Sequence, residues 1–78
     1  DKMVRYMICN QADRNIFKKQ CLALEKNIPD LQKMECLQDV DGSETQIYYI
    51  EEYKICVHNS KYLNEVYIES ETDIKKYF

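Results

Sequence analysis

The spacing of apolar residues predicts a single helix, over residues 10–28. At about 100° per residue, one side of this helix carries a mostly apolar set: Ile16, Phe17, Gln20, Cys21, Leu24 and Ile28. Asn10 is the predicted N-cap, and Pro29 is predicted to end the helix. We expect three of the apolar residues to be almost fully buried: Phe17, Leu24 and Ile28.

Alternation of apolar and polar residues predicts five strands, over residues 2–9, 33–40, 45–51, 54–58 and 62–69. The first is expected to be central or covered on both sides, because both of its faces are fairly apolar. Asp41-Gly42 predicts a hairpin turn, since glycine adopts a positive φ without steric cost. Residues 71–78 are expected to form a short closing helical turn. The result is one α+β domain, residues 1–78, in which one helix packs on an antiparallel sheet, of a ribonuclease-like or cystatin-like kind.

The four cysteines suggest that disulfides stabilise this small domain. A chain of 78 residues has a small core, and an even number of cysteines suits two disulfides. The predicted pairs are Cys21–Cys36 and Cys9–Cys56; the alternative is four buried thiols. No cysteine pair has zinc-site spacing and there is one histidine, so no metal and no cofactor are expected.

Charge is unevenly distributed along the chain. Residues 1–38 contain 7 basic and 5 acidic side chains, whereas residues 39–78 contain 4 basic and 9 acidic ones. An acidic half argues against nucleic acid as a partner, and no apolar run is long enough to span a membrane. The acidic half suits a protein partner with a basic surface.

Tyrosines and carboxylates of the acidic half supply the predicted partner-binding residues. Tyrosine is enriched in binding hot spots because it offers contact area at a low entropic cost. The residues selected are Tyr53, His58, Tyr62, Glu65, Tyr67 and Glu69.

No catalytic residues are predicted. Cleavage of RNA needs an acid, a base and a cation that holds the phosphate. Here His58 is the single histidine, and the only arginines, Arg5 and Arg14, lie far from it in sequence. An active ribonuclease is therefore the least favoured functional hypothesis.

Several short motifs resemble those of the ribonuclease-like secreted effectors of powdery mildew fungi. They are Tyr6-Met-Ile-Cys9 before a helix with Arg14-Asn15-Ile16, then Ile55-Cys-Val57, Asn59-Ser-Lys-Tyr62 and Val66-Tyr-Ile68. The resemblance implies a helix on an antiparallel sheet, lost catalytic residues and a role in or against a host plant cell. The chain ends Lys76-Tyr77-Phe78, without the C-terminal cysteine usual in that family, so the family's disulfide is not carried over.

These observations predict a small secreted, non-catalytic binding protein, namely a virulence effector that engages a host protein. A start at Asp1, without an initiator methionine, is what removal of a signal peptide would leave. The alternative is a periplasmic inhibitor or immunity protein that blocks an enzyme.

Overall fold

The computed structural model describes residues 3–77 and confirms the α+β fold. One helix, α1 (Arg14–Asn27), packs on a five-stranded antiparallel sheet. The strands are β1 (Val4–Cys9), β2 (Gln32–Gln38), β3 (Glu44–Ile50), β4 (Tyr53–Ser60) and β5 (Glu65–Ser70). A 3₁₀ turn follows the last strand at Lys75–Tyr77, within the predicted segment 71–78 but shorter than it; Phe78 lies outside the described residues.

The strand order in the sheet is β1-β5-β4-β3-β2. Strands β2 to β5 form a meander, and β1 adds beside β5, with Arg5 opposite Glu69. The prediction that the first strand is central is therefore wrong, because β1 lies at an edge. Its apolar residues are used differently: Tyr6 packs against the core, whereas Met7 remains exposed.

The helix begins later than predicted. Asp13 is the N-cap, and its Oδ1 accepts hydrogen bonds from the N–H groups of Asn15 (2.8 Å) and Ile16 (3.3 Å). Asn10 is therefore not the cap. The end is close to the predicted one, since Ile28 is the C-cap and Pro29 follows it. Side chains of β4 and of the turn after it hold the N-terminal end in place, because the Asp13 and Ala12 N–H groups donate to the side-chain oxygens of Asn59 and Asn64.

The core lies between α1 and one face of the sheet. Phe17, Leu24 and Ile28 are 4%, 0% and 2% exposed, which confirms their predicted burial. Tyr48 is also fully buried beneath the helix, and its hydroxyl donates to Glu25 Oε2 at 2.6 Å. A buried tyrosine hydroxyl needs such an acceptor, and this contact ties β3 to α1.

The turn between β2 and β3 has the predicted Asp41-Gly42 sequence. Gly42 has a φ of +90°, the left-handed conformation that glycine adopts most easily. The Asp41 side chain accepts a hydrogen bond from the Ser43 N–H, and this contact lowers the pKa of Asp41. The turn therefore fixes the register between β2 and β3.

All four cysteines are free thiols, so neither predicted disulfide is formed. The pair Cys9–Cys56 is wrong for a topological reason, because it requires neighbouring strands and β5 lies between β1 and β4. Cys21 and Cys36 do line one groove between α1 and β2, although no bond joins them. The alternative of four buried thiols also fails in part, since Cys36 is exposed.

Within residues 3–77, no helix has both the length and the apolar character needed to cross a membrane.

Candidate functional site

The candidate site lies on the open face, which we define as the side of the sheet opposite α1. Strand alternation places His58, Tyr67 and Glu69 on this face, because their neighbours Val57, Val66 and Ile68 belong to the core. Thr45, His58, Tyr67 and Met7 form one row across four strands, since each is paired with the next in register. Side chains from distant parts of the sequence thus meet in the middle of the sheet.

Three side chains on the open face form a stack. The rings of His58 and Tyr67 are parallel to within 22°, with centroids 4.6 Å apart. The guanidinium carbon of Arg5 lies 4.4 Å from the centre of the Tyr67 ring, in a cation–π contact. Tyr67 is only 7% exposed as a result. Its partial burial, with nearby carboxylates, raises the pKa of its hydroxyl.

Glu69 lies beside this stack and contacts two of its members. Its Oε2 is 3.9 Å from an Arg5 nitrogen, and its Oε1 is 3.1 Å from His58 Nε2. The second distance is short, but the geometry is not that of a hydrogen bond, and Nε2 is buried. On the other side of the ring, His58 Nδ1 is 2.9 Å from the Thr45 hydroxyl oxygen.

Burial lowers the pKa of His58, and the opposing effect of Glu69 does not reverse this shift. Its imidazole is therefore neutral near pH 7. A proton on Nε2 suits the adjacent carboxylate, which leaves Nδ1 to accept from the Thr45 hydroxyl. The imidazole is therefore flanked by the Thr45 hydroxyl on one side and the Glu69 carboxylate on the other.

A cleft of about 390 Å³ opens at one end of the stack, and we call it the acidic cleft. Its walls include three carboxylates and three rings, from Asp39, Asp41, Glu44, His58, Tyr62 and Tyr67. Among residues 3–77, no lysine or arginine lines it. Tyr62 is 88% exposed and forms the outer side of the cleft, whereas Tyr67 and Glu44 are buried.

The structure brings most of the predicted partner-binding residues together. His58, Glu65, Tyr67 and Glu69 share the open face, and Tyr62 reaches the same region through the acidic cleft. Tyr53 does not belong to this group. It lies at the other end of β4 and, by strand alternation, on the helix side of the sheet, opposite Ile50.

Sequence reasoning missed Arg5, Thr45, Asp39 and Asp41. Arg5 was judged distant from His58, but the pairing of β1 with β5 places it against Tyr67 and Glu69. The tight turn brings Asp39 and Asp41 to the acidic cleft. An available signal was the Asp39-Val-Asp41 spacing before the only glycine, which places two carboxylates at the end of a hairpin.

Among residues 3–77, no group of three or more histidine, cysteine or carboxylate side chains is arranged to hold a metal ion. Comparison with protein-family models, curated proteins and solved structures found no match.

Proposed function

We propose that this chain is a small non-catalytic binding protein, and that it engages a protein partner with a basic surface through the acidic cleft. The observation that carries the proposal is the composition of the cleft: three carboxylates and three rings, without a lysine or arginine. A lysine or arginine side chain from the partner would meet opposite charge and ring faces together.

Preorganisation also supports binding at this position. Tyr67 is fixed between Arg5 and His58, and Asp41 is held by its hydrogen bond with the Ser43 N–H. Side chains that are already ordered lose little entropy when a partner binds. The exposed Tyr62 offers its ring as further contact area to an inserted side chain.

Cleavage of RNA is the second candidate, because the structure brings Arg5, His58 and Glu69 together. An acid and a base for this reaction must act on oxygens at opposite sides of the phosphorus, which lie roughly in line. His58 Nε2 and Glu69 Oε1 are 3.1 Å apart, which leaves no space for a phosphate between them. Binding therefore fits the geometry better than catalysis.

The resemblance noted in the sequence supports a secreted virulence effector whose partner is a host protein. A periplasmic inhibitor or immunity protein that covers a basic active site is the alternative. Both functions use the same surface, and both call for the same first experiment.

The test uses a hexa-arginine peptide as the probe, titrated into the full chain and followed by amide NMR shifts. The double variant Asp39→Asn/Asp41→Asn should weaken binding by about tenfold or more, because two carboxylates at the cleft are neutralised. Asparagine keeps the side-chain oxygens that accept from Val40 and Ser43, so the turn should be preserved.

The matched control is Glu51→Gln/Glu52→Gln, which removes the same charge from the exposed turn at the other end of β3 and β4. It should change the affinity by less than about twofold at physiological salt, since screening limits remote charges. Equal losses in both double variants would refute the acidic cleft as the site. RNA cleavage that disappears in His58→Ala would refute the non-catalytic function.

A further inference from the structure

A second cleft, separate from the open face, lies where the N-terminal end of α1 meets the turn between β2 and β3. It has a volume of about 420 Å³, within the range of small-ligand sites. Six of its residues carry the argument: Arg14, Asp39, Gly42, Glu44, Asn59 and Lys61. We call it the helix-end cleft.

The floor of the helix-end cleft is a carboxylate with few partners. The Glu44 side chain is only 9% exposed. Its Oε1 accepts one long hydrogen bond from Asn59 Nδ2, at 3.5 Å, and lies 3.7 Å from Arg14 Nε. Among residues 3–77, no hydrogen bond reaches its other oxygen, Oε2. A carboxylate can accept about four hydrogen bonds, so this one has capacity for a donor that enters the cleft.

Asn59 holds this carboxylate in position. It is 1% exposed, and its two side-chain atoms act in opposite directions: Oδ1 accepts from the Asp13 N–H, and Nδ2 donates to Glu44. The floor of the cleft is therefore tied to the cap of α1. A fixed acceptor of this kind binds a ligand donor without loss of its own freedom.

Two cations stand at the rim. The Arg14 side chain is 63% exposed, so most of its N–H donors face solvent. Lys61 lies over the turn, where a Cβ atom at Gly42 would come within 3.0 Å of its Nζ, so the absence of a side chain at residue 42 leaves room for this ammonium group. With Glu44 and Asp39, the cleft contains two positive and two negative groups.

A balanced cleft of this kind favours a zwitterion over a simple ion. The negative floor and the positive rim are adjacent, since Glu44 Oε1 and Arg14 Nε are 3.7 Å apart. We propose that the helix-end cleft binds a free α-amino acid with a polar side chain. Its ammonium group donates to Glu44, its carboxylate accepts from Arg14 and Lys61, and its side chain points towards Asp39.

The experiment measures binding of L-glutamine to the full chain by amide NMR shifts. Two analogues each lack one charged group: 4-aminobutanamide has no carboxylate, and N-acetyl-L-glutamine has no ammonium. L-glutamine should bind saturably below about 10 mM, and each analogue should bind about tenfold more weakly or worse. Absence of saturable binding, or equal binding of all three compounds, would overturn the proposal.

Variants assign the two ends of the ligand. Glu44→Gln keeps an oxygen that accepts from Asn59, and it should weaken L-glutamine binding about tenfold. Arg14→Gln should reduce the preference for L-glutamine over 4-aminobutanamide, because Lys61 is then the only cation left for the ligand carboxylate. Glu52→Gln, in the exposed turn between β3 and β4 and outside this cleft, is the control and should bind as the parent chain does. Unchanged binding in Glu44→Gln would overturn the assignment.

This proposal does not rest on the binding function assigned to the acidic cleft. Asp39, Glu44 and Asn59 line both clefts, so the position of the NMR shifts separates the two. Shifts at Ala12, Arg14 and Lys61 support the helix-end cleft. Shifts confined to Tyr62, Tyr67 and His58 would overturn it and would leave the hexa-arginine result unaffected.

Discussion

The two faces of the sheet exclude water in different ways. On the helix side, Leu24 of α1 and its C-cap Ile28 cover apolar strand residues such as Ile55 and Val57, all of them at most 2% exposed. On the open face, no helix within residues 3–77 covers the strands, yet Tyr67 and Cys56 are each only 7% exposed. There the cover is provided by side chains of neighbouring strands.

The helix side therefore contributes mainly to the stability of the fold, and the open face mainly to the proposed binding. The helix side depends on apolar area removed from water, which is the main source of folding free energy. The open face depends on cross-strand contacts that are worth a few tenths to about 1 kcal/mol each. Substitutions on the helix side should therefore affect folding, and those on the open face should mainly affect binding.

The largest effect is expected from Leu24→Ala. This side chain is fully buried, and its truncation should reduce the free energy of unfolding by about 2–5 kcal/mol. Leu22→Ala is the matched control on the same helix, because Leu22 is 63% exposed and its loss should cost less than about 0.5 kcal/mol. Urea denaturation of both variants gives the comparison. Similar losses in the two would mean that the buried side of α1 is misassigned.

A smaller effect is expected from Tyr67→Ala on the open face. It removes the ring between Arg5 and His58 and should lower the free energy of unfolding by about 1–3 kcal/mol. Truncation of a core residue of similar size would lower it more. Tyr62→Ala is the control, since Tyr62 is 88% exposed and should change stability by less than about 0.5 kcal/mol. If Tyr67→Ala were as costly as Leu24→Ala, the open face would be a second core.

The smallest effect concerns pH. Because the pKa of His58 is lowered in the folded protein, the unfolded chain takes up a proton more readily. The contribution of neutral His58 to the free energy of unfolding is complete above about pH 6.5. It is lost as the pH falls through the range below that value. Asp73, which follows β5, also has a lowered pKa, because its carboxylate accepts from the Lys75 N–H and the Tyr6 hydroxyl. The lowered pKa values of Asp41 and Asp73 affect stability only below about pH 4.

The measurement is the urea midpoint at about pH 7.5 and pH 5.5, on either side of the ordinary histidine pKa. The midpoint should fall on acidification, and His58→Gln should remove most of that fall. A midpoint that rises at the lower pH would show that Glu69 outweighs burial and holds the imidazole in its charged form.

Much of the fold could be predicted because periodicity reports local structure and the face that each residue occupies. The buried positions of α1, the inward Val66 and Ile68, and the Asp41-Gly42 turn all follow from patterns within a few residues. The start of α1 could not be read in this way. The N–H groups of Ala12 and Asp13 are bonded to Asn64 and Asn59, about fifty residues away in sequence.

The candidate site was harder to predict for the same physical reason. Alternation places Tyr67 and His58 on one face, but it does not reveal which strands are neighbours. Arg5 meets Glu69 only because β1 pairs with β5, and this pairing also ruled out the Cys9–Cys56 disulfide. Tyr53 was included on composition alone, although one residue of register decides the face on which a strand side chain lies.

The position of β1 also has a consequence for the order in which the sheet is assembled. Strands β4 and β5 are separated by four residues, whereas 55 residues separate β1 from β5. Closing the longer loop costs about 2 kcal/mol more in chain entropy. The meander can therefore form hairpin by hairpin, while β1 gains its hydrogen bonds only after β5 is in place. We therefore expect the strand that carries Arg5 to dock after the meander, so that the ring stack on the open face is completed late in folding.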